Sequence, residues 1–105
     1  MAAKYIPASS VISPKQHWSL IAVLKDDEGE GGSVLAIGRW DNEPVLAMRW
    51  NGSGDTLSPT PIGNPQSRGL PTWFIVPRTY NEAILGTLSA DQLTLARNFL
   101  PKKSR

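Results

Sequence analysis

The chain has 105 residues, 40% apolar and 19% charged, with nine glycines, nine prolines, no cysteine and a net charge of +2. That length holds one domain burying about 65% of its unfolded surface, which excludes a second domain and leaves a thin core. The lack of cysteine excludes disulfides and thiolate metal sites, and +2 is too small by itself to mark a polyanion binder.

The charge is unevenly spread. Four of the nine acids fall within Asp26 to Glu30, Arg39, Arg49, Arg68 and Arg78 punctuate the middle, and Lys102, Lys103 and Arg105 crowd the end. The N-terminal stretch lacks the apolar run of a secretory signal, and nothing approaches the roughly 18 apolar residues of a membrane span. Together with the missing cysteines, this leads us to expect a soluble, cytoplasmic protein with no membrane partner.

In chain order, residues 1–16 carry Pro7, Pro14 and several serines, the composition of an extended or partly disordered arm. Residues 17–100 read as one α+β domain, and 101–105 as a basic tail. Trp18 to Lys25 is dense in β-favouring residues and stops at an acidic, glycine-rich cluster, which makes it the first strand. Ser33 to Trp40 and Val45 to Trp50 flank Asp41-Asn42-Glu43-Pro44, turn chemistry at hairpin spacing. Residues 51–71 form a long Gly/Pro-rich loop, of a length usually reserved for function or disorder. Thr72 to Val76 is a fourth short strand between Pro71 and Pro77. Thr79 with Glu82 and Ser89 with Gln92 then make two capping boxes, followed by apolar stripes at helical spacing: two short helices or one kinked one. The expected fold is a four-stranded twisted antiparallel sheet followed by a C-terminal helical segment, β-β-β-β-α.

Side chains alternate across a strand, so the hairpin sorts into two faces once Trp40 is set opposite Val45. Leu35, Ile37, Leu46, Met48 and Trp50, with Arg39, make a bulky face, which the helices should cover as the core. Val34, Ala36, Gly38, Trp40, Val45, Ala47 and Arg49 make a shallow face. An indole and a guanidinium among small residues suit a platform for bases and phosphates, with stacking contributing about 1–3 kcal/mol per base. The rival explanation is that small residues mark the close approach of another layer, a helix or a second subunit. Trp18 and Trp73 lie on strands apolar on both sides, and alternation does not sort them.

The run Arg39-Trp40-Asp41-Asn42-Glu43-Pro44-Val45-Leu46-Ala47-Met48-Arg49-Trp50, followed by the basic loop Gly63 to Gly69, a further strand and a helix, resembles the single-stranded-DNA-binding domains of the transcriptional coactivator PC4 family and of Whirly-like proteins. The resemblance spans residues 18–88 and lies in the order of the pattern. It implies binding of single-stranded or unwound DNA by a homodimer joined through its helices, with Trp40 stacking on bases and Arg49 contacting phosphate.

Non-catalytic binding of single-stranded nucleic acid, DNA before RNA, in transcription or DNA maintenance is therefore the expected function, with Lys25, Arg39, Trp40, Arg49, Arg68 and Trp73 as contact residues. No cofactor or metal is expected. His17 is the single histidine and has no carboxylate close in sequence to orient it, and the serines of the long loop have no recognisable base. Asp26 to Glu30 reads as a solvated turn, and the glycine-rich pieces lack the lysine of a phosphate cradle. The alternative is a protein-interaction module presenting exposed tryptophan and the 51–71 loop to a partner.

Overall fold

The structure, a computed structural model, describes residues 8–27, 32–52, 62–67 and 70–100. Strands β1 (Trp18–Asp26), β2 (Ser33–Trp40) and β3 (Glu43–Trp50), with the two-residue β6 (Phe74–Ile75), form one antiparallel sheet in the order β1-β2-β3-β6. A separate small ladder pairs β4 (Gln66–Ser67) with β5 (Leu70–Pro71), inside the segment expected to be loop. A 3₁₀ turn at Arg78–Tyr80 leads into helices α1 (Asn81–Leu85) and α2 (Ala90–Arg97). This is the expected α+β class, sheet first and helices last. Among the described residues no helix is long and apolar enough to cross a membrane.

The hairpin turn is tighter than its sequence suggests. Asp41 and Asn42 take φ of 50° and 75°, the pair of left-handed residues that a two-residue turn matching strand twist requires, and Asp and Asn tolerate that conformation best after glycine. β3 therefore starts at Glu43, running through Pro44, and Trp40 stands opposite Glu43 instead of Val45. A shift of two residues leaves every side chain on its expected face. On β1 the register slips between Leu20 and Ala22 and again between Val23 and Lys25. These bulges bend the strand and bring Ile21, Ala22 and Leu24 all to the helical side.

The bulky face is core, as expected: Leu24, Leu35, Ile37, Leu46 and Val76 are buried against Leu85 of α1 and Ala96 of α2. Ser89 caps α2 with the complete reciprocal box, its Oγ accepting from the Gln92 N–H at 3.2 Å and its own N–H donating to Gln92 Oε1 at 2.9 Å. The box expected at Thr79 does not form. α1 has Tyr80 at its N-cap without a side-chain bond, and the Glu82 carboxylate instead takes a forked pair from Arg97 at 2.7 and 2.9 Å.

The shallow face is also covered, by the segment expected to be a loose arm. A 3₁₀ turn at Ala8–Ser10 sets Ala8 and Val11, 2% and 1% exposed, over Val34, Ala36 and Ala47, with Trp18 and Trp73 completing the layer. The packed unit thus reaches back to residue 8. The small residues mark close approach of another layer. Gly38 shows how close, since a Cβ there would lie 2.6 Å from the Ser19 carbonyl oxygen and inside the Trp18 indole.

Candidate functional site: an aromatic cluster at the end of the sheet

The residues expected to form a water-facing platform do not form one. Arg49 is 4% exposed. Its Nη1 donates to the carbonyls of Pro65, at 3.4 Å, and Thr72, and its Nη2 to that of Ile62. The guanidinium therefore ties β3 to two later segments instead of meeting phosphate, because a buried charge is tolerated only where its donors are satisfied. Trp73, 6% exposed, donates its Nε1–H to the Val11 carbonyl at 2.6 Å and tilts against Trp18, with ring centroids 5.9 Å apart. Trp40 is half-buried, and His17 stacks on it at 5.1 Å. The His17 ring is held in turn through Nδ1 by Asp41 Oδ1 at 2.7 Å. The orienting carboxylate that sequence proximity does not reveal is thus supplied across the hairpin, and the trio pins the entrance of β1.

Lys25 and Arg39 are exposed, on the other face. Lys25 begins a cross-strand row that continues through Leu35 and Met48 to Phe74. The Arg39 guanidinium sits 5.8 Å from the centroid of the Phe99 ring, a cation–π contact at the helical end of the sheet. Arg68 lies outside the described residues, as do Glu28 and Glu30 of the acidic cluster, residues 53–61 of the long loop and the tail 101–105. The Arg97 guanidinium has its pKa raised above its already high ordinary value, chiefly by the hydrogen bonds it donates to Glu82.

The row from Lys25 ends in a cluster that includes Trp50, which the sequence assigns to the core face. Trp50 and Phe74 are 57% and 56% exposed. Phe74 is directly opposite Met48, and Trp50 lies two residues beyond Met48 on the same strand, so both rings stand on one face as diagonal neighbours. With Ser33, Asn64 and Pro65 they line an open cavity of about 450 Å³. Short helices explain the exposure. Eight residues of α2 span about 12 Å at 1.5 Å per residue, whereas eight residues of β3 span about 26 Å. Helices that cover Ile37 and Leu46 run out before the last row of the sheet. That mismatch of lengths is the signal in the sequence that distinguishes Trp50 from the other bulky-face residues.

The Trp50 backbone is fixed although its indole is free. Its N–H donates to the Asn64 carbonyl at 2.7 Å, and the Asn64 N–H donates back at 3.1 Å. Gly63, at φ +78°, makes the reversal that permits this double bond, and a Cβ there would fall 2.7 Å from the Gly52 nitrogen. The arrangement is a preorganised aromatic anchor, which loses little backbone entropy when a ligand covers it. Among the described residues there is no group of three or more His, Asp or Glu side chains able to hold a metal ion. No protein-family model, curated protein or solved structure matches this chain.

Proposed function

We propose that this domain is a non-catalytic interaction module that captures an apolar segment of a partner protein on the Trp50–Met48–Phe74 cluster. The observation that carries this reading is a pair of large rings, each more than half exposed, side by side on the face that buries Leu35, Ile37 and Leu46. Burying a large apolar side chain contributes about 1.5–3 kcal/mol, and tryptophan is among the residue types enriched at interface hot spots. Adjacent exposed rings are the kind of patch that marks an interaction surface. A specific observation keeps a second reading, single-stranded nucleic acid stacked on the same rings. Lys25 shares the row of Phe74, and Arg39 shares the face. Arg49 also lines the cavity but is spent on carbonyls, and Arg39 lies at the other end of the hairpin, against Phe99, which favours the apolar partner.

Peptides selected from a random display library on the immobilised full chain should be rich in aromatic and branched aliphatic anchors. A selected peptide is expected to bind at least about tenfold more weakly to Trp50→Ala and to Phe74→Ala, the loss typical of a hot spot. Its affinity should change little between about 50 and 200 mM salt. Peptides that bind both Trp50→Ala and Phe74→Ala as well as the parent protein sink the proposal. Titration with an unstructured oligonucleotide, followed by indole emission, is the competing arm. Quenching that requires Trp50 and collapses over the same salt range transfers the surface to nucleic acid.

A further inference from the structure

β1 forms one margin of the sheet, and no strand among the described residues pairs with its outer edge. Proteins that work as single copies blunt such edges with charge, proline, brevity or bulges. β1 has bulges at Ile21 and Leu24 but neither charge nor proline in its middle. It is nine residues long, and Leu20-Ile21-Ala22-Val23-Leu24 is apolar throughout. Leu20, Ile21, Ala22 and Val23 are only half-buried. Leu20 and Val23 pack on the core beneath the N-terminal turn, and Ile21 and Ala22 on the core beneath the helices. Both cores of the domain thus reach this edge.

We infer that the outer edge of β1 is the seam of a symmetric homodimer, in which two β1 strands pair antiparallel and join the sheets into one of eight strands. Three observations select a second copy as the occupant. The strand is apolar towards both faces, and its own two-fold mate offers apolar side chains to both faces at once, as a self-complementary interface must. Lys15 precedes the strand and Asp27 follows it, both exposed. Antiparallel pairing lays the acidic end of one copy beside the basic end of the other, whereas parallel pairing sets like against like. Finally, the opposite margin cannot propagate the sheet. β6 has two residues and sits between Pro71 and Pro77, so the assembly closes at two instead of growing into a fibre. The bulges at Ile21 and Leu24 leave Ala22 and Val23 as the regular stretch between them and confine the seam to a short ladder there. This inference rests on β1 alone and is independent of the Trp50 cluster.

Sedimentation equilibrium of the full chain is expected to give twice the 11.4 kDa chain mass. Ile21→Lys, which adds the charge that natural edges use, should dissociate the dimer at least about tenfold more readily while keeping the far-ultraviolet circular dichroism of the parent. Because a lysine there can also weaken folding, a second variant leaves the edge apolar. The chain has no cysteine, so Ile21→Cys gives a single thiol per copy. A short bismaleimide should link it into a covalent dimer, and should not link Leu95→Cys on the exposed side of α2. A parent protein at monomer mass throughout the concentration range overturns the inference. So does a dimer that survives Ile21→Lys but is lost in Trp50→Ala, or a dimeric preparation of Ile21→Cys that fails to cross-link.

Discussion

A guanidinium carries five N–H donors in a rigid fork and keeps its charge at any ordinary pH, so burying one demands acceptors spread to match the fork. Arg49 finds them in the carbonyls of Ile62, Pro65 and Thr72, which lie 13 to 23 residues further along the chain. Arg49→Met should strand those acceptors in a dry site and cost about 3 kcal/mol, measured by urea unfolding of the full chain. Arg49→Lys should recover little of the loss, because one ammonium on a flexible stem cannot span the fork. A lysine variant as stable as the parent would refute this staple and restore a simple electrostatic role. Alternation along the hairpin places Arg49 on the shallow face, and the structure agrees. What alternation cannot show is which face stays wet, since that is decided by Ala8, Val11, Ile62, Pro65, Thr72 and Trp73, remote in sequence. The same limit hides Trp50, which shares a face with Leu46 but stands beyond the reach of the helices.

At the level of elements, two capping signals of equal quality in the sequence have unequal outcomes. Ser89 and Gln92 make both bonds of their box, whereas α1 starts after a 3₁₀ turn and draws no side-chain cap. Ser89→Ala should therefore lower stability by about 1 kcal/mol, and Thr79→Ala should stay within about 0.5 kcal/mol of the parent. Thermal melts of the two variants side by side check this, and equal losses would mean that α1 is capped after all. The physical difference lies in competition for Glu82, whose carboxylate is drawn to Arg97 on α2. A charged, forked partner from another element outweighs a backbone N–H on its own helix. The hairpin was legible for the opposite reason: Asp41 and Asn42 satisfy a purely local demand on φ. Only Pro44 misleads there. It lies within β3, opposite Arg39, at a position that β6 does not reach, since β6 pairs with Ala47 and Met48 alone. Proline is tolerated where a strand is effectively an edge.

Across the whole molecule, a sheet of four strands with apolar side chains on both faces needs a layer on each side, and this chain has helices for only one. The second layer is the Ala8–Ser10 turn, Val11 and the two indoles of Trp18 and Trp73. Prolines and serines give residues 1–16 the composition of a loose arm, and a single buried valine makes no periodic pattern, so this layer leaves no signature for sequence reasoning to find. Its energetic weight is nonetheless substantial. Burying Val11 contributes about 1.5–3 kcal/mol, and its carbonyl accepts the Trp73 indole N–H, adding about 1 kcal/mol. Against a total stability of about 5–15 kcal/mol for a domain of this size, that is a large share. Removing residues 1–11 should lower the urea midpoint sharply and shift tryptophan emission to the red, as Trp18 and Trp73 lose their cover. Val11→Asp should reproduce most of both effects by placing an unpaired charge in the same layer. If the truncated chain melted like the parent with unshifted emission, the shallow face would be open after all. The platform chemistry of Trp40 would then return as a live alternative to the cluster at Trp50 and Phe74.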